Sequence, residues 1–83
     1  MNNSASDNFK SDVISLCGAL LASGKIQLSG YIKLPNGKTE FHLSPKPICE
    51  ELYNLYLNDK LILSASAIAR KVAELNVIRK GNY

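Results

Sequence analysis

Residues 25 to 44 contain the feature that most constrains the fold, because two segments of alternating apolar and polar residues flank the pair Asn36-Gly37. Both central positions of a two-residue type I′ turn require φ > 0, which Asn and Gly adopt at low cost. The sequence therefore predicts an antiparallel β-hairpin with strands over about 25–34 and 38–44 and with Asn36 and Gly37 at its tip.

A two-residue turn at this point also predicts the register, in which Ile32 lies opposite Phe41. Alternation then divides the hairpin into one apolar face for the core and one polar face for solvent. The predicted core face comprises Ile26, Leu28, Ile32, Leu34, Phe41 and Leu43. The predicted polar face comprises Gln27, Ser29, Tyr31, Lys33, Glu40 and His42.

Apolar residues at helical spacing predict three helices, over about 8–23, 46–58 and 65–76. Gly24 is suited to the left-handed position just beyond the first helix, and Pro47 is suited to the first turn of the second. The expected architecture is an α+β domain with the order α-β-β-α-α, in which the helices cover the apolar face of the hairpin.

The predicted domain spans residues 8–83 and follows a disordered polar tail over residues 1–7. Two points stay open at this level. Leu61 to Leu63 could add a third strand, and residues 76 to 83 could extend the last helix or form a tail. Gly18 and Ala22, one turn apart, predict a shallow stripe on the first helix where a neighbouring backbone could approach closely.

The chain has 83 residues, of which 46% are hydrophobic, so it forms one small domain with a limited core. No apolar run approaches the roughly 18 residues of a membrane span, and the N-terminal residues lack the features of a secretory signal. Cys17 and Cys49 are therefore expected to be reduced thiols that act as small apolar side chains in a cytoplasmic protein.

The sequence contains few candidate residues for a catalytic site. His42 is the only histidine and falls on the predicted solvent face, while Glu50 and Glu51 are neighbours on a helix, about 100° apart around its axis. The glycines form no phosphate-binding motif, and the Cys and His positions do not match the spacing of a zinc site. The expectation is a non-enzymatic protein with no cofactor, no metal and no small-molecule substrate.

Charge is distributed unevenly along the chain. Residues 60 to 83 carry five cationic side chains and one carboxylate, a net charge of +4, whereas residues 1 to 59 carry five cations and six carboxylates, a net charge of −1. This asymmetry predicts association with polyanions, most simply nucleic acid, through Arg70, Lys71, Arg79 and Lys80. The leading hypothesis is a small binding or regulatory protein that associates with nucleic acid through its basic C-terminal helix and tail.

The alternative hypothesis is a protein-interaction module such as an adaptor, an inhibitor or an antitoxin-like regulator. Tyr31, Tyr53 and Tyr56 are the candidate contact residues, because tyrosine is enriched at protein interfaces. The hairpin also offers an edge to which a partner strand could add. Pairing at this edge, or contact through the tyrosines, would equally produce a homodimer.

Overall fold

A computed structural model describes residues 8–80, so the predicted tail over residues 1–7 and the last three residues lie outside the described part of the chain. The elements are β1 (Phe9–Ser11), α1 (Ile14–Ala22), β2 (Gln27–Lys33), β3 (Thr39–Ser44), α2 (Lys46–Leu57) and α3 (Ala65–Lys80). The strands form an antiparallel sheet in the order β1-β3-β2, and the helices pack on it. The predicted α+β class is confirmed, whereas the predicted order is wrong because a strand comes first.

The first helix is shorter than predicted because the chain begins with β1. Phe9 pairs with Leu43, and Ser11 pairs with Phe41. The Ser11 hydroxyl also accepts a hydrogen bond from the Val13 amide (3.1 Å), which offers the backbone an alternative to a helical turn. Helical spacing of Phe9 and Val13 was thus coincidental, and pairing with the central strand outweighs the local helical preference.

The hairpin turn has three residues rather than the predicted two. The Leu34 amide donates to the Lys38 carbonyl (2.8 Å), and the Gly37 amide donates to the Leu34 carbonyl (3.0 Å). Pro35 therefore stands at the second position of a type I turn, which its fixed φ favours, and Gly37 follows with φ +89°. The preference of Pro35 for that position outweighs the type I′ preference of the Asn-Gly pair.

This longer turn shifts the register by one residue, so Tyr31 rather than Ile32 lies opposite Phe41. Ile32 consequently lies on the face opposite the core, across from Glu40, and Lys33 lies across from Thr39. A bulge between Leu28 and Gly30 returns Leu28 to the core side, opposite Leu43. The predicted face is therefore correct for Leu28, near the start of β2, and wrong for Tyr31, Ile32 and Lys33.

The core lies between the sheet and the helices, where Leu20, Phe41, Leu43, Cys17 and Cys49 are completely buried. The five successive positions 16 to 20 of α1 are all buried, since α1 packs against several neighbours at once. The predicted close approach at Gly18 is confirmed. A Cβ atom added there would lie 2.5 Å from the Val72 Cγ2 atom and 3.3 Å from the Val72 amide nitrogen.

The helix ends follow the local sequence. Gly24 has φ +80° just beyond α1, and its amide donates to the Leu21 carbonyl (3.1 Å), as the C-terminal glycine predicts. Residues Val77 and Ile78 extend α3 to Lys80. Within residues 8–80, the segment from Leu61 to Leu63 belongs to no strand, and Ile62 is 92% exposed. The third strand of the sheet comes from β1 instead.

Candidate nucleic-acid interface

α3 is an amphipathic helix with one side against the domain and the other in solvent. Leu75 is 1% exposed, and Ile68, Val72 and Ile78 are partly buried on the same side. Successive residues are rotated by about 100° around the helix axis, so six exposed residues lie on the side opposite Leu75. This outward face comprises Ser66, Ala69, Arg70, Ala73, Val77 and Lys80.

Arg70 and Lys80 are the two cations of the outward face. They are ten positions apart, which corresponds to about 15 Å along the helix axis and about 80° around it. Small side chains and Val77, which is 61% exposed, separate them. The only carboxylate of α3 belongs to Glu74 and lies to one side of this face. The outward face therefore carries two separated positive charges with short, uncharged side chains between them.

The other two sequence-predicted cations have different surroundings. Lys71 is partly buried, and its ammonium group lies 3.5 Å from the Glu74 carboxylate. Arg79 is exposed but lines a groove together with Lys80 and Lys38. The four predicted residues thus do not form one clamp, since Arg70 and Lys80 share the outward face while Arg79 borders the hairpin.

The last turn of α3 is fixed to the hairpin by Lys33. The Lys33 ammonium group donates to the main-chain carbonyls of Ile78 (3.1 Å) and Arg79 (2.8 Å). These carbonyls carry the negative end of the helix dipole, so the cation stabilises the helix end. The sequence pattern does not predict this contact, because the two-residue turn places Lys33 on the solvent face of the hairpin, opposite Glu40.

The tyrosines named by the interaction hypothesis differ in exposure. The rings of Tyr53 and Phe9 have their centroids 5.6 Å apart, and Tyr56 packs against the same core. Tyr31 is 46% exposed on β2, beside Ile32 at 47%. Tyr53 and Tyr56 thus pack at the border of the core, whereas Tyr31 lies on β2, an edge strand of the sheet.

The titratable side chains of the sheet and core include His42, Glu40 and the two cysteines. His42 and Glu40 lie on the outer face of the sheet, with 3.0 Å between the His42 Nε2 and Glu40 Oε1 atoms. Burial raises the pKa of the Cys17 thiol from 9.0 to about 11, opposed in part by a hydrogen bond with the Ser11 side chain. Burial also raises the pKa of Cys49. Both thiols are free and protonated at neutral pH, which makes them poor nucleophiles.

Comparison with family models, with curated proteins and with solved structures finds no significant match to this chain. Among residues 8–80, no three His, Cys, Asp or Glu side chains come together in a way that could hold a metal ion. The helices of this part of the chain also lack the length and apolar character required to cross a bilayer. The geometry of the charged surfaces is therefore the basis for a functional proposal.

Proposed function

We propose that this protein is a small regulatory factor that binds double-stranded nucleic acid through the outward face of α3. The observation that carries the proposal is the pair Arg70 and Lys80, both exposed, with only small or uncharged side chains between them. A helix of 16 residues is about 24 Å long and fits the DNA major groove, which is about 12 Å wide. Two cations about 15 Å apart can then contact phosphates of the duplex backbone.

The outward face favours a duplex over single strands. It carries no aromatic side chain on which an unpaired base could stack, and such stacking is the usual source of affinity for single strands. When Arg70 and Lys80 contact phosphates, only Ser66 of this face remains to hydrogen-bond to base edges, so the expected binding depends on salt and little on sequence. The two buried free thiols are consistent with the reducing environment of the cytoplasm.

Fluorescence anisotropy with a labelled duplex tests this proposal across a series of KCl concentrations. The affinity should fall with a log–log slope of about −2, and Arg70→Gln or Lys80→Gln should each make that slope shallower by about 1. Lys25→Gln is the matched control, because Lys25 is exposed and follows the end of α1 that lies away from Lys80. Equal losses in all three variants, or no binding at low salt, would reject the proposal.

A partner strand added to β2 is the second candidate function. Tyr31 and Ile32 are each nearly half exposed on this strand, and in the described part of the chain β2 pairs only with β3. A second copy of the chain is the simplest partner, because two β2 strands could join two sheets into one. Sedimentation should then give twice the 9.1 kDa mass of one chain, reduced to one chain by Ile32→Lys.

A further inference from the structure

A groove of about 260 Å³ lies between the hairpin tip and the end of α3. Three segments that are distant in sequence form its walls: the start of α1, the turn into β3, and the last residues of α3. The lining side chains that matter for binding are Asp12, Lys38, Thr39, Arg79 and Lys80. The groove is separate from the middle of the outward face of α3, which Arg70 occupies.

The groove is strongly positive. Lys38, Arg79 and Lys80 supply three cations and Asp12 one carboxylate. The Asp12 carboxylate compensates Lys38 only weakly, since the two charged groups are 4.0 Å apart and both side chains are solvent-exposed. The lining therefore has a net charge of about +2 near neutral pH, which favours a doubly charged anion.

The ends of two helices favour the same type of ligand. The carbonyls at the end of α3 would normally repel an anion, but the Lys33 ammonium group already binds two of them. α1 begins at Ile14, which also lines the groove, and Val13 before it has no side-chain acceptor for the helical amides. Neither helix end thus opposes the positive potential of the three cations.

Thr39 is a further observation at the same place. It lies in the wall of the groove, is 2% exposed, and its hydroxyl oxygen has no hydrogen-bond partner among the described residues. A buried hydroxyl without a partner costs about 1–3 kcal/mol and in known structures commonly indicates a water or an ion beside it.

We propose that this groove binds a phosphate monoester group, held by Lys38, Arg79 and Lys80. A phosphate monoester carries a charge of about −1.5 to −2 at pH 7 and matches the lining better than the singly charged phosphodiester of a nucleic-acid backbone. The groove holds about nine water volumes, enough for a phosphate group and a small attached portion. This site shares Lys80 with the outward face of α3, whereas Lys38 and Arg79 belong to the groove alone.

Titration of the ¹⁵N-labelled protein with inorganic phosphate at constant ionic strength tests the proposal. Amide resonances of Gly37, Lys38 and Thr39 should shift in a saturable manner, with a Kd of about 1 mM or tighter. Sodium chloride at the same ionic strength is the control for general salt effects. Absence of saturable shifts up to about 10 mM phosphate, or equal shifts with chloride, would overturn the proposal.

Three variants test both the location of the site and the direction in which each charge changes the affinity for phosphate. Lys38→Gln and Arg79→Gln should each weaken phosphate binding about fivefold to tenfold, whereas Asp12→Asn should strengthen it. Lys25→Gln makes the same charge change beyond the opposite end of α1 and should alter the affinity less than twofold. If Lys25→Gln weakens binding as much as Lys38→Gln, or if Asp12→Asn does not strengthen it, the assignment is wrong. The amide spectrum of each variant reports whether it is folded.

The phosphate monoester could come from a small molecule or from the end of a nucleic-acid strand. A nucleoside 5′-monophosphate represents the first source, and a 5′-phosphorylated oligonucleotide, compared with its 5′-hydroxyl form, represents the second. Shifts at Gly37 to Thr39 that require the monoester group support the site with either source. Shifts of the same size with the 5′-hydroxyl oligonucleotide would show that the groove does not select a monoester. Because Lys38→Gln and Arg79→Gln leave both cations of the outward face in place, these two variants distinguish failure of this site from failure of duplex binding.

Discussion

Replacement of Gly18 by alanine tests the close packing of α1 on α3. The added methyl group would lie 2.5 Å from Val72 Cγ2 and 3.3 Å from the Val72 amide nitrogen. Carbon atoms in contact are normally about 3.5–4.0 Å apart, so the overlap with the side chain is about 1 Å or more. Valine has one strongly preferred rotamer in a helix, and the backbone nitrogen cannot rotate away, so α3 itself must shift.

The expected magnitude follows from two opposing terms. Overpacking of this kind costs about 1–3 kcal/mol, and alanine in place of glycine within a helix contributes about 1 kcal/mol in the other direction. Because both a side-chain and a backbone atom of Val72 are too close, we expect a net loss of about 1–2 kcal/mol in the free energy of unfolding. For a domain of this size each kcal/mol corresponds to about 4–8 °C in Tm.

Urea denaturation followed by circular dichroism measures this loss. Gly18→Ala in a Val72→Ala background should be less destabilising by about 1 kcal/mol, since the shortest contact is then absent. Ser15→Ala is the matched control, because Ser15 is exposed on α1 and its replacement adds only helix propensity. A Gly18→Ala protein as stable as the wild type, or an unchanged cost in the Val72→Ala background, would refute the proposed packing.

Three other substitutions test the remaining contacts. Lys33→Gln should destabilise the protein by about 1 kcal/mol and speed amide exchange in the last turn of α3, whereas unchanged exchange would show that the bonds to Ile78 and Arg79 do not stabilise that turn. Thr39→Val should leave the free energy of unfolding in phosphate-free buffer unchanged or raise it, because it removes a buried hydroxyl that has no partner among residues 8–80; a loss above about 1 kcal/mol would show that the hydroxyl is bonded, for example to a water molecule. The raised pKa of Cys17 means that its unfolded thiol ionises first, so stability present below about pH 9 should fall between about pH 9 and 11. Cys17→Ala should reduce this alkaline loss relative to its own stability at pH 7, and an identical pH profile would contradict the assignment.

The sequence predicts the parts of the fold that depend on local patterns. The hairpin, the second and third helices and the role of Gly24 follow from alternation, helical spacing and the conformational freedom of glycine. Gly18 was identified because a helical glycine has a cost that close packing can offset. These features need no knowledge of which elements are neighbours.

The parts that were predicted wrongly depend on competition between local preferences or on distant contacts. Pro35 and the pair Asn36-Gly37 favour different turns, and the proline preference determines the register. β1 has only three residues, too few for alternation to be recognised, and its pairing with β3 depends on the rest of the sheet. The phosphate groove could not be predicted, because Lys38 and Arg79 come together only in the folded topology.

The contact between Gly18 and Val72 has a consequence for biosynthesis. α1 is translated long before α3, and its buried side is covered chiefly by a helix that the ribosome has yet to produce. The nascent chain therefore exposes the apolar side of α1 around Gly18 until Val72 and the neighbouring residues of α3 have left the exit tunnel. Slow codons or a stalled ribosome between α2 and α3 would prolong that interval and give holdase chaperones their best opportunity to bind.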